Sequence, residues 1–91
     1  MIAIHVFISG LVQGVGFRYS IKHKATMLDL TGWAKNTDDG KVEVFCQGDK
    51  KGIDKMLAFC KEGPPLARVD DVVIEESDTR DHLAGFEIRV S

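Results

Sequence analysis

Ile2, Ile4, Val6 and Ile8 alternate with Ala3, His5, Phe7 and Ser9 at the start of the chain. A period of two puts one apolar face on a β-strand. A glycine-rich turn follows from Gly10 to Gly16. Phe17, Ile21, Ala25 and Leu28 then recur at spacings of four, four and three, the stripe of a helix with one buried face. Gly32 ends that pattern, and Trp33 to Thr37 predicts a second strand. Asp38-Asp39-Gly40 is a hairpin turn in which Gly40 takes positive φ, and Val42, Val44 and Cys46 alternate as a third strand. Asp49 is placed to cap a second helix, whose Ile53, Met56, Leu57 and Cys60 share a face before Gly63-Pro64-Pro65 stops it. Leu66 to Glu76 carries a fourth strand, with Val72 and Ile74 alternating against Val73 and Glu75. Ser77 to His82 is a polar loop. Phe86, Ile88 and Val90 close the chain as a short fifth strand, whose pairing partner the pattern leaves open.

The order is β-α-β-β-α-β with a short final strand. It predicts an α+β fold of the ferredoxin-like, split βαβ kind: an antiparallel sheet with two helices on one face. The 91 residues are expected to form one domain, 1–91, with no internal repeat and no linker. A chain this short buries only about 60–65% of its unfolded surface, but 44% hydrophobic residues are enough for a core. An active site must then be built from the core elements or the loops that join them.

Composition narrows the function classes. The net charge is −2 and the pI is 5.8, whereas nucleic-acid binders carry a basic excess or stripe. No apolar run approaches the ~18 residues of a membrane span. The first residues carry no basic start and no cleavage signal, so a signal peptide is not expected. Two cysteines, Cys46 and Cys60, make no disulfide framework, and reduced thiols in the cytoplasm are the expectation. Nucleic acid and membrane are therefore not expected as partners, and a monomer is the default for this size and charge.

The chemistry gathers in Gly10-Leu11-Val12-Gln13-Gly14-Val15-Gly16-Phe17-Arg18, which joins a strand to a helix. The first N–H groups of a helix lack internal partners, and the helix dipole adds partial positive charge there. Glycines let successive N–H groups converge into an anion-binding concavity. Glycines alone would equally make a tight turn beside a solvated arginine. However, a cation in the first helical turn is unfavourable unless an anion binds there, and the Arg18 fork matches phosphate oxygens. A Walker loop would need Gly-Lys-Ser/Thr, which is absent, and a dinucleotide fingerprint starting at Gly14 would need glycine where Tyr19 stands.

Gly10-x-Val12-Gln13-Gly14-Val15-Gly16-Phe17-Arg18 resembles the signature of the acylphosphatases, small enzymes that hydrolyse the mixed anhydride of a carboxylate and phosphate. The resemblance continues at Gly32-Trp33-Ala34-Lys35-Asn36, Asp39-Gly40-x-Val42-Glu43, Gly48, Gly63-Pro64-Pro65-x-Ala67-x-Val69 and Gly85-Phe86-Glu87-Ile88. It spans nearly the whole chain in order. It implies a small acyl phosphate as substrate and inorganic phosphate as product. It makes Arg18 the phosphate-binding arginine and Asn36 the water-positioning asparagine, with Gln13, Gly14, Val15, Gly16 and Phe17 completing the phosphate site. One departure is Asp29, within Leu28-Asp29-Leu30, where many members have glycine. Aspartate tolerates a left-handed helix end less well.

The expected topology supports the pairing. If the first strand runs up into the loop and the first helix runs down, the second strand runs up again and ends near Asn36. One strand lies between the two, so the gap is roughly 9–10 Å, room for a phosphate and a water. From the residues alone Asn36 is a plain turn residue before Asp38-Asp39-Gly40. Hydrolysis of an acyl phosphate needs an in-line water and stabilisation of the phosphoryl oxygens, which positioning and electrostatics can supply. No cofactor, metal or covalent nucleophile is called for. Thr37 could support Asn36 by a hydrogen bond.

His5, His23 and His82 show no metal spacing with each other or with the cysteines. Ser9 and Ser20 lie in no nucleophile elbow. Asp38 and Asp39 are turn residues, Lys50, Lys51 and Lys55 a solvated helix face, and Trp33 packing. Two other functions are compatible with parts of the chain. The same fold binds RNA through aromatics on its central strands, where Phe7 and Phe45 could fall. The acidic balance and the missing Lys/Arg-Gly-Phe/Tyr segment argue against it. The chain is also similar to the N-terminal part of larger carbamoyl-transferring maturation proteins. A non-hydrolytic binder of acyl or carbamoyl phosphate is thus the alternative, with the ending at Ser91 expected to mark a free-standing domain.

Overall fold

A computed structural model describes residues 1–90. The elements follow in the order β1 (Ile2–Leu11), α1 (Phe17–Met27), β2 (Thr31–Asn36), β3 (Val42–Gly48), α2 (Lys50–Glu62), β4 (Arg68–Ser77) and β5 (Phe86–Arg89). The sheet order is β4-β1-β3-β2-β5. The alternating pattern of β1 resolves as predicted from Ile4 onward, while Ile2 at the strand's start is exposed. Ile4, Val6 and Ile8 join Ala34, Val42, Val44 and Cys46 in one buried cluster with Phe17, Ile21 and Ala25 of α1 and Ile53, Met56 and Cys60 of α2. Both helices therefore cover one face of the sheet.

The first four strands pair antiparallel, but β5 runs parallel to β2. The sheet is mixed rather than wholly antiparallel. The α1 helix packs on both β2 and β5, so the last strand extends the sheet beneath that helix. On the opposite face Ala3, Trp33 and Phe45 form a second small cluster under Leu83. Gln47 pins the chain over them: its Nε2 donates to the Arg80 carbonyl (2.6 Å) and its Oε1 accepts from Arg80 N–H (2.7 Å). The Arg80 guanidinium lies 4.3 Å over the Phe45 ring. Phe45 is fully buried and presents no stacking platform of the kind a base would need.

Asp49 caps α2 as predicted, its Oδ1 accepting from Gly52 N–H at 2.9 Å. The end of α1 differs from the pattern-based expectation. The helix stops at Met27 rather than running toward Gly32. Asp29 takes φ 56°, the one non-glycine residue at positive φ among those described. Leu30 N–H donates to Ala25 O (2.9 Å) and Asp29 N–H to Thr26 O (3.3 Å), the paired bonds of a Schellman ending. Gly32 instead lies within β2.

Two outcomes follow from these local environments. Asp29→Gly relieves the left-handed strain and should stabilise the fold by about 0.5–1 kcal/mol, read as a higher urea midpoint at unchanged m-value. Burial pushes both the Cys46 and Cys60 thiols up to about 12, so almost no thiolate exists at neutral pH. A thiol reagent at pH 8 should label the native protein slowly at both positions and rapidly once denaturant is added.

Candidate active site

An irregularity lies just before the loop between β1 and α1. Pairing of β1 with β4 shifts register between Ser9 and Gly10, with Asp70 of β4 as the extra residue of a bulge, and resumes at Gly10 and Leu11 before the loop begins. Gly14 and Gly16 then take φ +76° and +78°, and a Cβ at either would meet nothing within 4 Å. Their requirement for glycine is conformational, since the left-handed region is costly for residues with a Cβ. Gly16 sits at the N-cap of α1 with no side-chain hydrogen bond, and the first turn holds no acidic residue. Ser20 N–H to Gly16 O (3.1 Å) is the first bond of the helix. The N–H groups of Phe17, Arg18 and Tyr19 precede it and carry the positive end of the helix dipole.

Arg18 stands at this end, half-buried. Its Nη1 donates to the Arg89 carbonyl at the end of β5, 3.2 Å away. That bond holds one arm of the guanidinium and leaves most of its five donors for a ligand. The register of the sheet brings Asn36 to the same edge. Val42 pairs with Ile8 on one side and with Asn36 on the other, so Asn36 lies level with Ile8, three residues before the end of β1 and two strand spacings away. Among the described residues the Asn36 side chain makes no hydrogen bond.

These groups enclose a concavity of about 180 Å³ lined by Val12, Gly14, Gly16, Phe17, Arg18, Tyr19 and Asn36. At about 30 Å³ per water, it has room for a phosphoryl group and an attacking water. A wider hollow of about 610 Å³ runs along the outside of the helices, lined by residues that include Tyr19, His23, Lys24, Phe59 and Pro64. It contains neither Arg18 nor Asn36 and faces no helix N-terminus other than through Tyr19.

Of the motif residues, Gly14, Gly16, Phe17 and Arg18 line the concavity with Asn36, while Gln13 and Val15 do not. Val15 packs against the core. The Gln13 side chain turns toward the β2–β3 hairpin, its Nε2 donating to the carbonyls of Thr37 (2.8 Å) and Lys41 (2.9 Å). Thr37 does not brace Asn36. Its hydroxyl accepts from Lys41 N–H (3.0 Å) and reaches the Asp39 carboxylate, closing the turn and holding the Asp39 carboxyl below its usual range. Val12, itself part of the motif, and Tyr19, the residue after it, are lining residues that the expected phosphate site did not include. Tyr19 was accessible by counting, as the third N–H of a helix beginning at Phe17.

His5 is paired with Glu43, Nε2 to Oε2 at 2.6 Å, and stacks on Phe7, away from this edge. Among the described residues no group of three or more His, Cys, Asp or Glu is placed to hold a metal ion. Among the described residues no helix is long and apolar enough to cross a membrane.

Comparison with known proteins gives a consistent result. The acylphosphatase family model matches residues 4–88. An acylphosphatase of Trichormus variabilis is 45% identical over 89 residues, covering 98% of this chain and 87% of its own length. The crystal structure of acylphosphatase from Bacillus subtilis superposes with a TM-score of 0.93 at 35% identity, covering 98% of this chain and 99% of that one. An acylphosphatase from Coxiella burnetii superposes with a TM-score of 0.91 at 43% identity, covering 97% and 92%.

The conformational demand at the loop is testable on its own. Gly16→Ala should lower stability by about 1–2 kcal/mol despite the open space around its Cβ, measured as a lower denaturant midpoint. A neutral result would mean that the cap can leave the left-handed region at no cost.

Proposed function

This chain belongs to the acylphosphatase family, and on that premise we propose that the loop 13–18 and Asn36 form its catalytic site. The enzyme hydrolyses the carboxyl–phosphate bond of acyl phosphates to a carboxylate and inorganic phosphate. The observation that carries the site assignment is that Arg18 and Asn36 line one concavity at the uncapped end of α1.

Backbone N–H groups from about Val15 to Arg18 cradle the phosphate, helped by the positive end of the helix. The Arg18 guanidinium binds the phosphoryl oxygens and stabilises them as charge spreads over them in the transition state. Its bond to the Arg89 carbonyl keeps the fork oriented before substrate arrives, so little reorganisation is needed at the moment of reaction. The Asn36 amide, with no competing hydrogen bond among the described residues, holds the attacking water. The water oxygen bonds to phosphorus as the bond from phosphorus to the acyl oxygen breaks. The carboxylate leaves, and the water's proton passes to a phosphoryl oxygen of the substrate itself. The concavity covers little more than the phosphate, so many acyl groups should be accepted.

The non-hydrolytic alternative is not favoured, because the acylphosphatases it matches align over nearly their whole lengths. A monomer in the cytoplasm accords with two free, buried cysteines and with a net charge of −2, which also gives no ground for a nucleic-acid partner.

The two residues separate in their kinetics. Arg18→Ala should lower turnover of benzoyl phosphate by about 10³-fold or more and weaken inhibition by inorganic phosphate. Asn36→Ala should lower kcat by at least about 10²–10³-fold while phosphate inhibits as before. Near-normal turnover by Asn36→Ala would remove the water-positioning role, and unaltered phosphate inhibition in Arg18→Ala would remove the clamp.

A further inference from the structure

Gln13 belongs to the phosphate loop by sequence, yet its side chain does not line the phosphate concavity. It reaches 24 and 28 residues along the chain to Thr37 O and Lys41 O, at 2.8 and 2.9 Å. Both partners are carbonyl oxygens, so the amide nitrogen must face them; the amide oxygen there would oppose two acceptors. Thr37 and Lys41 are the two ends of the hairpin turn, already joined by Thr37 N–H to Lys41 O (2.9 Å). Asn36 is the residue immediately before Thr37. The one NH₂ group thus ties the loop that follows β1 to the base of the turn that carries Asn36, past the start of β3.

Resting on the site proposed above, we infer that Gln13 is a positioning residue: its amide clasps the Asn36 hairpin and sets the distance between the water-holding amide and the phosphate loop. Strand pairing brings the two edges level, but each leaves the sheet there. Gly14 and Gly16 on one side and Gly40 on the other lie at positive φ in segments outside the strands. Beyond the last ladder bonds, the Gln13 bridge is the direct link between them among the described hydrogen bonds. In-line attack needs the water within a fraction of an ångström of its line, and a misplacement of about 1 Å costs about 10²-fold in rate. A clasp of this kind acts on kcat and leaves the ground-state grip on phosphate alone, because Arg18 and the helix N–H groups are untouched.

Gln13→Met keeps length and removes both donors. It should lower kcat about 10–100-fold while the inhibition constant of inorganic phosphate stays within about threefold of wild type. Gln13→Glu supplies a second and independent readout. As a carboxylate it faces two carbonyl oxygens and repels the hairpin; protonated, it regains one O–H donor. Its kcat relative to wild type should therefore rise as pH falls toward about 4.3, while the same ratio for Gln13→Met stays flat. Wild-type kcat in Gln13→Met would overturn the inference, as would a loss of kcat matched by an equal loss of phosphate affinity. If Gln13→Met does not fold, a pH-independent ratio for Gln13→Glu overturns it. Any of these results would leave the roles of Arg18 and Asn36 standing if those two variants behave as stated above.

Discussion

Val42 pairs with Ile8 on one neighbour and with Asn36 on the other, and the site depends on that double registration. It sets Ile8, near the end of β1, and Asn36, the end of β2, at one height on either side of β3. The register is held by packing on the helix face. Ile8, Val42, Val44 and Ala34 are all fully buried, and a slip of one residue would turn each of them out of the core. The hydrophobic core thereby helps to determine the distance between polar groups on two strands that do not pair with each other.

From that registration the two halves of the site are built by different physics. The phosphate side is electrostatic: a helix end without a side-chain cap or an acidic residue, held open by glycines in the left-handed region, with a cation in its first turn. Such an end stores unsatisfied donors that an anion can use. The water side is an amide at the end of a strand, steadied by a closed turn in which Thr37, Asp39 and Lys41 satisfy one another. Two hydrogen bonds bring chain-distant parts to the site. Arg89 O holds the Arg18 fork from β5, and Gln13 joins the loop to the hairpin. The parallel placement of β5 against β2 is what puts the Arg89 carbonyl within reach.

The opposite face of the sheet is closed by a different device. Trp33 and Phe45 are buried under a segment pinned by Gln47 and stacked upon by Arg80. Phe45 on the central strand β3 is covered and offers no surface to a base, while Phe7 on β1 is half-buried and stacked on His5. Aromatic residues at strand positions state a face; whether that face is open depends on where the connection from β4 to β5 lies.

The elements, their faces and the loop chemistry were written in short-range patterns: period two in β1, the stripe of α1, the Asp49 cap, and a glycine-rich turn ending in arginine. Each depends on neighbours within a few residues, so the chain alone specifies them. Asp29 shows how a local choice becomes structural, since a residue with a Cβ stands where the backbone turns left-handed. What the pattern could not decide was long-range. The partner and direction of β5, the anchoring of Arg18 by Arg89, and the turning of Gln13 away from phosphate toward Thr37 and Lys41 join residues 24 or more apart. A glutamine amide next to a phosphate loop has the same donors whichever way it points, and the sequence holds no local term that chooses. The sequence by itself determined the strands and helices, the anion-binding loop and the residue types of the site. Only the tertiary structure decided how far apart they stand and what holds them there, because that depends on which distant carbonyls the folded core brings within hydrogen-bond reach.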